Sequence, residues 1–141
     1  MKLEDQVVSL ELVKKMKELG FPQDTLWYWV LCDWNVDYEI VPFESFMYLS
    51  SDKKEVYEDY GHETGSYDIK EIYSAPTPAE LGEALPEEMN CAKYNNKWIV
   101  YNFRNVNGVV MKADTEADAR AKMIIYLIEN GLLKLKENKL I

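Results

Sequence analysis

The sequence predicts an α+β domain in which an antiparallel β-meander packs against two or three helices. Three observations predict it. The stretch Thr115 to Leu133 carries a long apolar stripe at helical spacing with marked ends. The stretch Cys91 to Lys112 carries alternating strand-like runs separated by tight-turn residues. A second helical stripe lies near the N-terminus, so helices at both ends are available to cover one face of a sheet. The expected order is helix, two strands, helix, three strands, helix, that is α-β-β-α-β-β-β-α. With 141 residues and apolar segments throughout, the whole of 1–141 reads as one domain. A chain of this size buries roughly two thirds of the surface that it exposes unfolded, enough for a core without disulfides or metals.

In the first helix Val8, Leu12, Val13, Met16 and Leu19 share a face, and Lys14, Lys15, Lys17 and Glu18 supply the wet side. Gly20 followed by Pro22 stops it, because Gly accepts the left-handed backbone of a helix end and Pro cannot continue the ladder. The helix is expected from about Ser9 to Leu19. Thr25 to Trp34 then gives a run dense in aromatic and β-branched side chains. Leu26, Tyr28, Val30, Cys32 and Trp34 point one way, and Trp27, Trp29 and Leu31 the other. Both sets are apolar, so the strand is expected to be covered on both faces. Asp33 to Asp37 supplies a turn, and Tyr38 to Phe43 a second strand that Pro42 confines to an edge.

From Ser50 to Asp68 the sequence is polar, with Gly61 and Gly65, and reads as a surface excursion. Ile69, Ile72 and Tyr73 suggest a short element returning to the body. Thr77-Pro78-Ala79-Glu80 is a capping box with Pro at the first helical position, opening a two-turn helix whose stripe is Leu81, Ala84 and Leu85. Asn95-Asn96 places two residues that tolerate positive φ between strands, and Asn107-Gly108 marks another turn. In the last helix Ala117, Ala121, Ile124, Ile125, Ile128 and Leu132 share a face, with Leu127 at its margin. Thr115 caps it, Asp118 is expected to reach back in place of the usual Glu, and Gly131 ends it.

Sixteen Lys and Arg against twenty-five Asp and Glu give a net charge of −9. That sign opposes direct nucleic-acid binding, whose affinity comes from cations that release counterions from phosphate, and opposes adhesion to an anionic membrane. Cys32 and Cys91 lie in strand-like runs and are expected to be free thiols in a reducing compartment. No apolar run is long enough to span a bilayer. The segment MKLEDQVVSLEL carries acids where a signal peptide needs an uncharged run, so the expected location is cytoplasmic.

His62 is the only histidine. Its neighbours Glu58, Asp59 and Glu63 resemble a metal set in outline, but no second His and no Cys accompany them, and acids beside Gly commonly form a solvated loop. No glycine loop for phosphate occurs. No catalytic residue, metal ligand or cofactor is therefore assigned. The aromatic cluster Trp27, Trp29, Trp34 and Tyr38 has two readings: a strand buried on both faces, or a face left open as an interface with a protein partner or a second copy.

Three segments, SLELVKKMKELGFPQDTLWYW, APTPAELGEALPEEM and DTEADARAKMIIYLIENGLL, together resemble small uncharacterised proteins encoded by phages and prophages of gut bacteria. They cover about two fifths of the chain in matching order. That family has no assigned activity, so the resemblance implies no catalytic residue. The functional expectation is a non-enzymatic phage- or prophage-derived accessory protein acting through protein–protein contacts or self-association. Two alternatives stand beside it. One is an acidic DNA mimic that inhibits a nucleic-acid-binding protein. The other is a small hydrolase or transferase using the acidic loop around His62.

Overall fold

The computed structural model describes residues 2–34, 45–52, 67–87, 89–102 and 108–133, with backbone alone at 33, 34, 45, 46, 67 and 68. The elements among them are α1 (Leu10–Glu18), β1 (Tyr28–Trp34), β2 (Ser45–Ser50), β3 (Tyr67–Ser74), α2 (Pro78–Ala84), β4 (Met89–Tyr94), β5 (Lys97–Asn102), β6 (Val110–Ala113) and α3 (Glu116–Glu129). A single 3-10 turn, Leu3–Asp5, precedes α1. The fold is α+β.

Where one meander of five strands was expected, the six described strands form two antiparallel three-strand sheets, in the orders β2-β1-β3 and β4-β5-β6. The second is the expected meander. Its hairpin turns at Asn95 and Asn96, both at positive φ (50° and 62°), as a two-residue turn matched to strand twist requires.

The first sheet holds the departure. β3 was expected only as a short element, yet it runs eight residues along β1, and β2 (Ser45–Ser50) forms where no strand was expected. The polar excursion is thus shorter than 50–68. Its remaining centre, 53–66, lies outside the described residues, as does the expected strand Tyr38–Phe43. The reason for the missed strand is local. Leu31 faces Glu71 while Cys32 faces Ile69, so Lys70 is an extra residue and the register shifts there. Ile69 and Ile72, three apart, therefore face the same side and are both buried. A bulge breaks the period-2 alternation that identifies a strand in sequence.

β1 is covered on both faces, as expected. Tyr28, Val30 and Cys32 form a small cluster with Ile69 and Ile72. Trp29 turns to the other side, between Leu49 and Tyr73 of its neighbouring strands, and joins the main core. That core includes Val13 and Met16 of α1, Leu81 and Ala84 of α2, Val100 of β5, and much of α3. In α3 the buried residues are Ala117, Ala119, Ala121, Met123, Ile124, Ile125 and Leu127. Those cover more of the circumference than one stripe, and the helix contacts α1 and α2 as well as β5 and β6. Leu132, expected on the buried stripe, is 56% exposed. It lies past the helix end, where the left-handed Gly131 turns the chain away from the helical path.

The helix ends form as their residues dictate. Gly20 and Gly131 both take positive φ (88° and 69°). Phe21 N–H reaches Met16 O at 2.9 Å and Leu132 N–H reaches Leu127 O at 2.8 Å, the long bond of a Schellman cap in each case. The capping box of α2 is complete: Glu80 N–H donates to Thr77 Oγ1 at 3.3 Å and Thr77 N–H to Glu80 Oε1 at 3.1 Å. Thr115 caps α3 by accepting from Asp118 N–H at 3.2 Å. Asp118 does not reach back to Thr115. It accepts instead from Ser9 N–H at 2.7 Å, so the last helix supplies the carboxylate that holds the chain at the start of the first.

Ser74 is fully buried, and its hydroxyl finds no hydrogen-bond partner among the described residues. A buried hydroxyl without a partner retains its desolvation cost, about 1–3 kcal/mol. Ser74→Ala is expected to leave stability unchanged or raise it by up to about 1 kcal/mol, read as the urea midpoint. A loss of more than about 1 kcal/mol would show that the hydroxyl is satisfied in solution.

Candidate functional site

Trp27 and Trp98, far apart in the chain, line one groove of about 890 Å³. Trp27 precedes β1, and its carbonyl accepts from Thr25 Oγ1 at 2.7 Å and Ala75 N–H at 2.8 Å, which fixes the backbone there. Trp98 lies on β5 opposite Lys93 and Ala113. Both tryptophans are half-buried and flank the main core. Leu3, Asp5 and Val7 form one wall, Thr77 and Pro78 at the start of α2 another, and Asp114 to Glu116 at the start of α3 a third. The volume is that of a ligand-sized cleft, with apolar walls and a few polar groups converging on it.

Many of those polar groups are committed. The Thr77 and Thr115 hydroxyls accept from backbone N–H groups as helix caps. Glu116 accepts from Arg120 Nη2 at 3.0 Å. Arg120 Nε is buried with no partner among the described residues. Asp114 pairs with Lys97, whose hydrogen bond and charge hold the carboxyl below its usual range. The Asp114 side chain is 82% exposed, so that pair is a surface contact open to exchange. Asp5 and Lys93, both exposed, complete the charged lining.

Of the aromatic cluster read as either core or interface, Trp27 lies at a surface cleft and Trp29 in the core. Trp29 is 6% exposed and donates from Nε1 to Val8 O at 2.8 Å, so it is not an open face. Trp34 closes β1 opposite Tyr67; Tyr38 lies outside the described residues. His62, Glu58, Asp59 and Glu63 also lie outside them. Among the described residues no group of His, Cys, Asp and Glu is arranged to hold a metal ion, and no helix is long and apolar enough to cross a membrane. Trp98 was legible only as an alternating strand residue. Nothing local in sequence brings it to Trp27, because the two belong to segments some seventy residues apart that meet only in the tertiary fold.

Both cysteines are free. Cys32 is buried. Cys91 is half-buried, and its thiol is pushed up from the usual range by burial first; the Arg120 charge pulls it down, Glu116 pushes it up, and an Arg120 hydrogen bond pulls it down. A raised thiol is a poor nucleophile at neutral pH. Because the folded value lies above the unfolded one, the contribution to stability is intact below the ordinary thiol pKa and fades as pH rises through the folded value. Alkylation of native Cys91 is expected to lag behind that of the unfolded chain at pH 8. Arg120→Met removes the lowering influence and is expected to slow labelling further. Faster labelling in that variant would reverse the assignment.

A second concavity of about 550 Å³ lies between α1 and β3. Lys17 Nζ sits 4.9 Å and Lys14 Nζ 5.8 Å from the Tyr73 ring centre, and Lys17 also donates to Ile72 O at 3.1 Å. Lysines beside an edge strand discourage pairing with another chain, and among the described residues β3 is an edge of its sheet.

Comparisons with protein-family models, with curated proteins and with solved structures found no match to this chain.

Proposed function

We propose that this chain is a non-enzymatic accessory protein of phage or prophage origin that acts by contact with another protein, through the groove between Trp27 and Trp98. The observation that carries the reading is the groove itself: two half-buried tryptophans, at the flank of a well-packed core, in a cleft of about 890 Å³. Tryptophan is the residue type most enriched among the anchors of protein interfaces, where a large rigid ring is desolvated at little entropic cost. The phage or prophage origin is supported by the three resembling segments. The non-enzymatic character is supported by the chemistry at hand. The groove's threonine hydroxyls serve as helix caps, and the nearby Cys91 thiol has a raised pKa.

The test is affinity capture from a lysate of the encoding bacterium, with wild type and Trp27→Ala as parallel baits. A protein retained by wild type and lost by the variant is the expected result. Retention unchanged by Trp27→Ala and by Trp98→Ala sinks the groove as the contact. Cytoplasmic location is part of the same reading, and a partner confined to another compartment counts against it.

A further inference from the structure

We infer that the occupant of the Trp27–Trp98 groove is a basic segment of a different protein, with a lysine or arginine cation seated against the tryptophan rings. The inference rests on the groove being the contact surface. Three observations select a cation. Tryptophan is the best aromatic partner for an ammonium or guanidinium group, through the negative face of its ring. The lining carries the carboxylates Asp5, Asp114 and Glu116 and one lysine, Lys93, while Lys97 and Arg120 pair with Asp114 and Glu116 from beside it. Glu116 is held by Arg120, but Asp5 is exposed, and Asp114 is bound only to an exposed lysine that an incoming cation can displace. The third observation concerns the whole molecule. A net charge of −9 draws cationic partners in and works against a second copy of the same chain.

The charge also ranks the possible occupants. A second copy brings another −9 to a chain already at −9, and nucleic acid brings phosphates. An extended basic peptide brings the opposite charge, with aliphatic stems that can lie along Pro78 and Leu3.

The test uses the full chain and three labelled nonapeptides, in which proline alternates with arginine, with glutamine or with glutamate. The arginine peptide is expected to bind at least about tenfold more tightly than the glutamine peptide, and the glutamate peptide not at all. Raising the salt to 0.5 M removes most of the difference, since screening acts on exposed charges. Asp5→Lys is expected to weaken arginine-peptide binding by about three- to tenfold and Lys93→Glu to tighten it about threefold. Both side chains are exposed, so these variants fold. Trp27→Ala abolishes binding of the arginine peptide. Equal binding of the glutamine and arginine peptides, lost in Trp27→Ala, overturns the cation while leaving the groove as the contact. Arginine-peptide binding indifferent to Trp27→Ala, Asp5→Lys and Lys93→Glu overturns both. A wild-type dimer in sedimentation that Trp27→Ala dissolves makes the second copy the occupant and overturns the inference. No binding of the arginine peptide at 1 mM overturns it too.

Discussion

Trp29→Ala is expected to destabilise the protein by about 3–5 kcal/mol, the range for removing a buried large aromatic side chain. Two costs add. The ring sits in the main core between Leu49 and Tyr73, and its removal leaves a cavity that neighbouring strands cannot close without losing register. The indole N–H is the partner of Val8 O at 2.8 Å, and its loss leaves a buried carbonyl unsatisfied. Trp29→Phe separates the two, keeping much of the volume while removing the donor, with an expected loss of about 1–3 kcal/mol. Trp27→Ala, at a half-buried ring facing a groove, is expected to lose roughly 1–2 kcal/mol and to act on binding more than on folding. Urea unfolding of the three variants reads the order directly. A Trp29→Ala protein within 1 kcal/mol of wild type would return Trp29 to the surface.

Neighbours in sequence, Trp27 and Trp29 share a side of the same strand-like run, and alternation alone assigns them one environment. What separates them is the polypeptide beside each. Val8, Leu49 and Tyr73 close over Trp29, whereas Trp27 lies just before β1, where the sheet ends and the starts of α2 and α3 leave a cleft. Such tertiary information has no local trace. The helix ends behave in the opposite way. Gly20, Gly131, Thr77 and Thr115 act within a few residues of themselves, and each does in the fold what its type requires. The same holds for Asn95-Asn96. β3 failed for a third reason: its bulge at Lys70 gives its two buried isoleucines a helix-like spacing of three. Asp118 shows the limit of even a good local rule. Its position fits a capping box, but Ser9 N–H, from a remote segment, takes the carboxylate.

Ile124→Ala is expected to cost about 2–5 kcal/mol, the range for cutting a fully buried aliphatic side chain back to its Cβ. The size follows from where α3 lies. Ile124 is wholly buried in the main core, and its helix contacts four separate elements, β5, β6, α1 and α2. Each is pinned independently, α1 by the Ser9–Asp118 bond and its Schellman cap, α2 by its capping box, and the strands by their ladders. A cavity walled by pinned elements relaxes little, which puts the cost toward the upper half of the range. Leu132→Ala is the control. Simple 100° periodicity places Leu132 on the same stripe as Ile124 and predicts a comparable loss; the turn at Gly131 leaves it exposed, and the expected loss is under about 0.5 kcal/mol. Thermal or urea unfolding of the pair distinguishes the two accounts. Equal losses at both positions would mean that α3 continues through Gly131 as an unbroken buried helix, and the groove built at its other end would need a different frame.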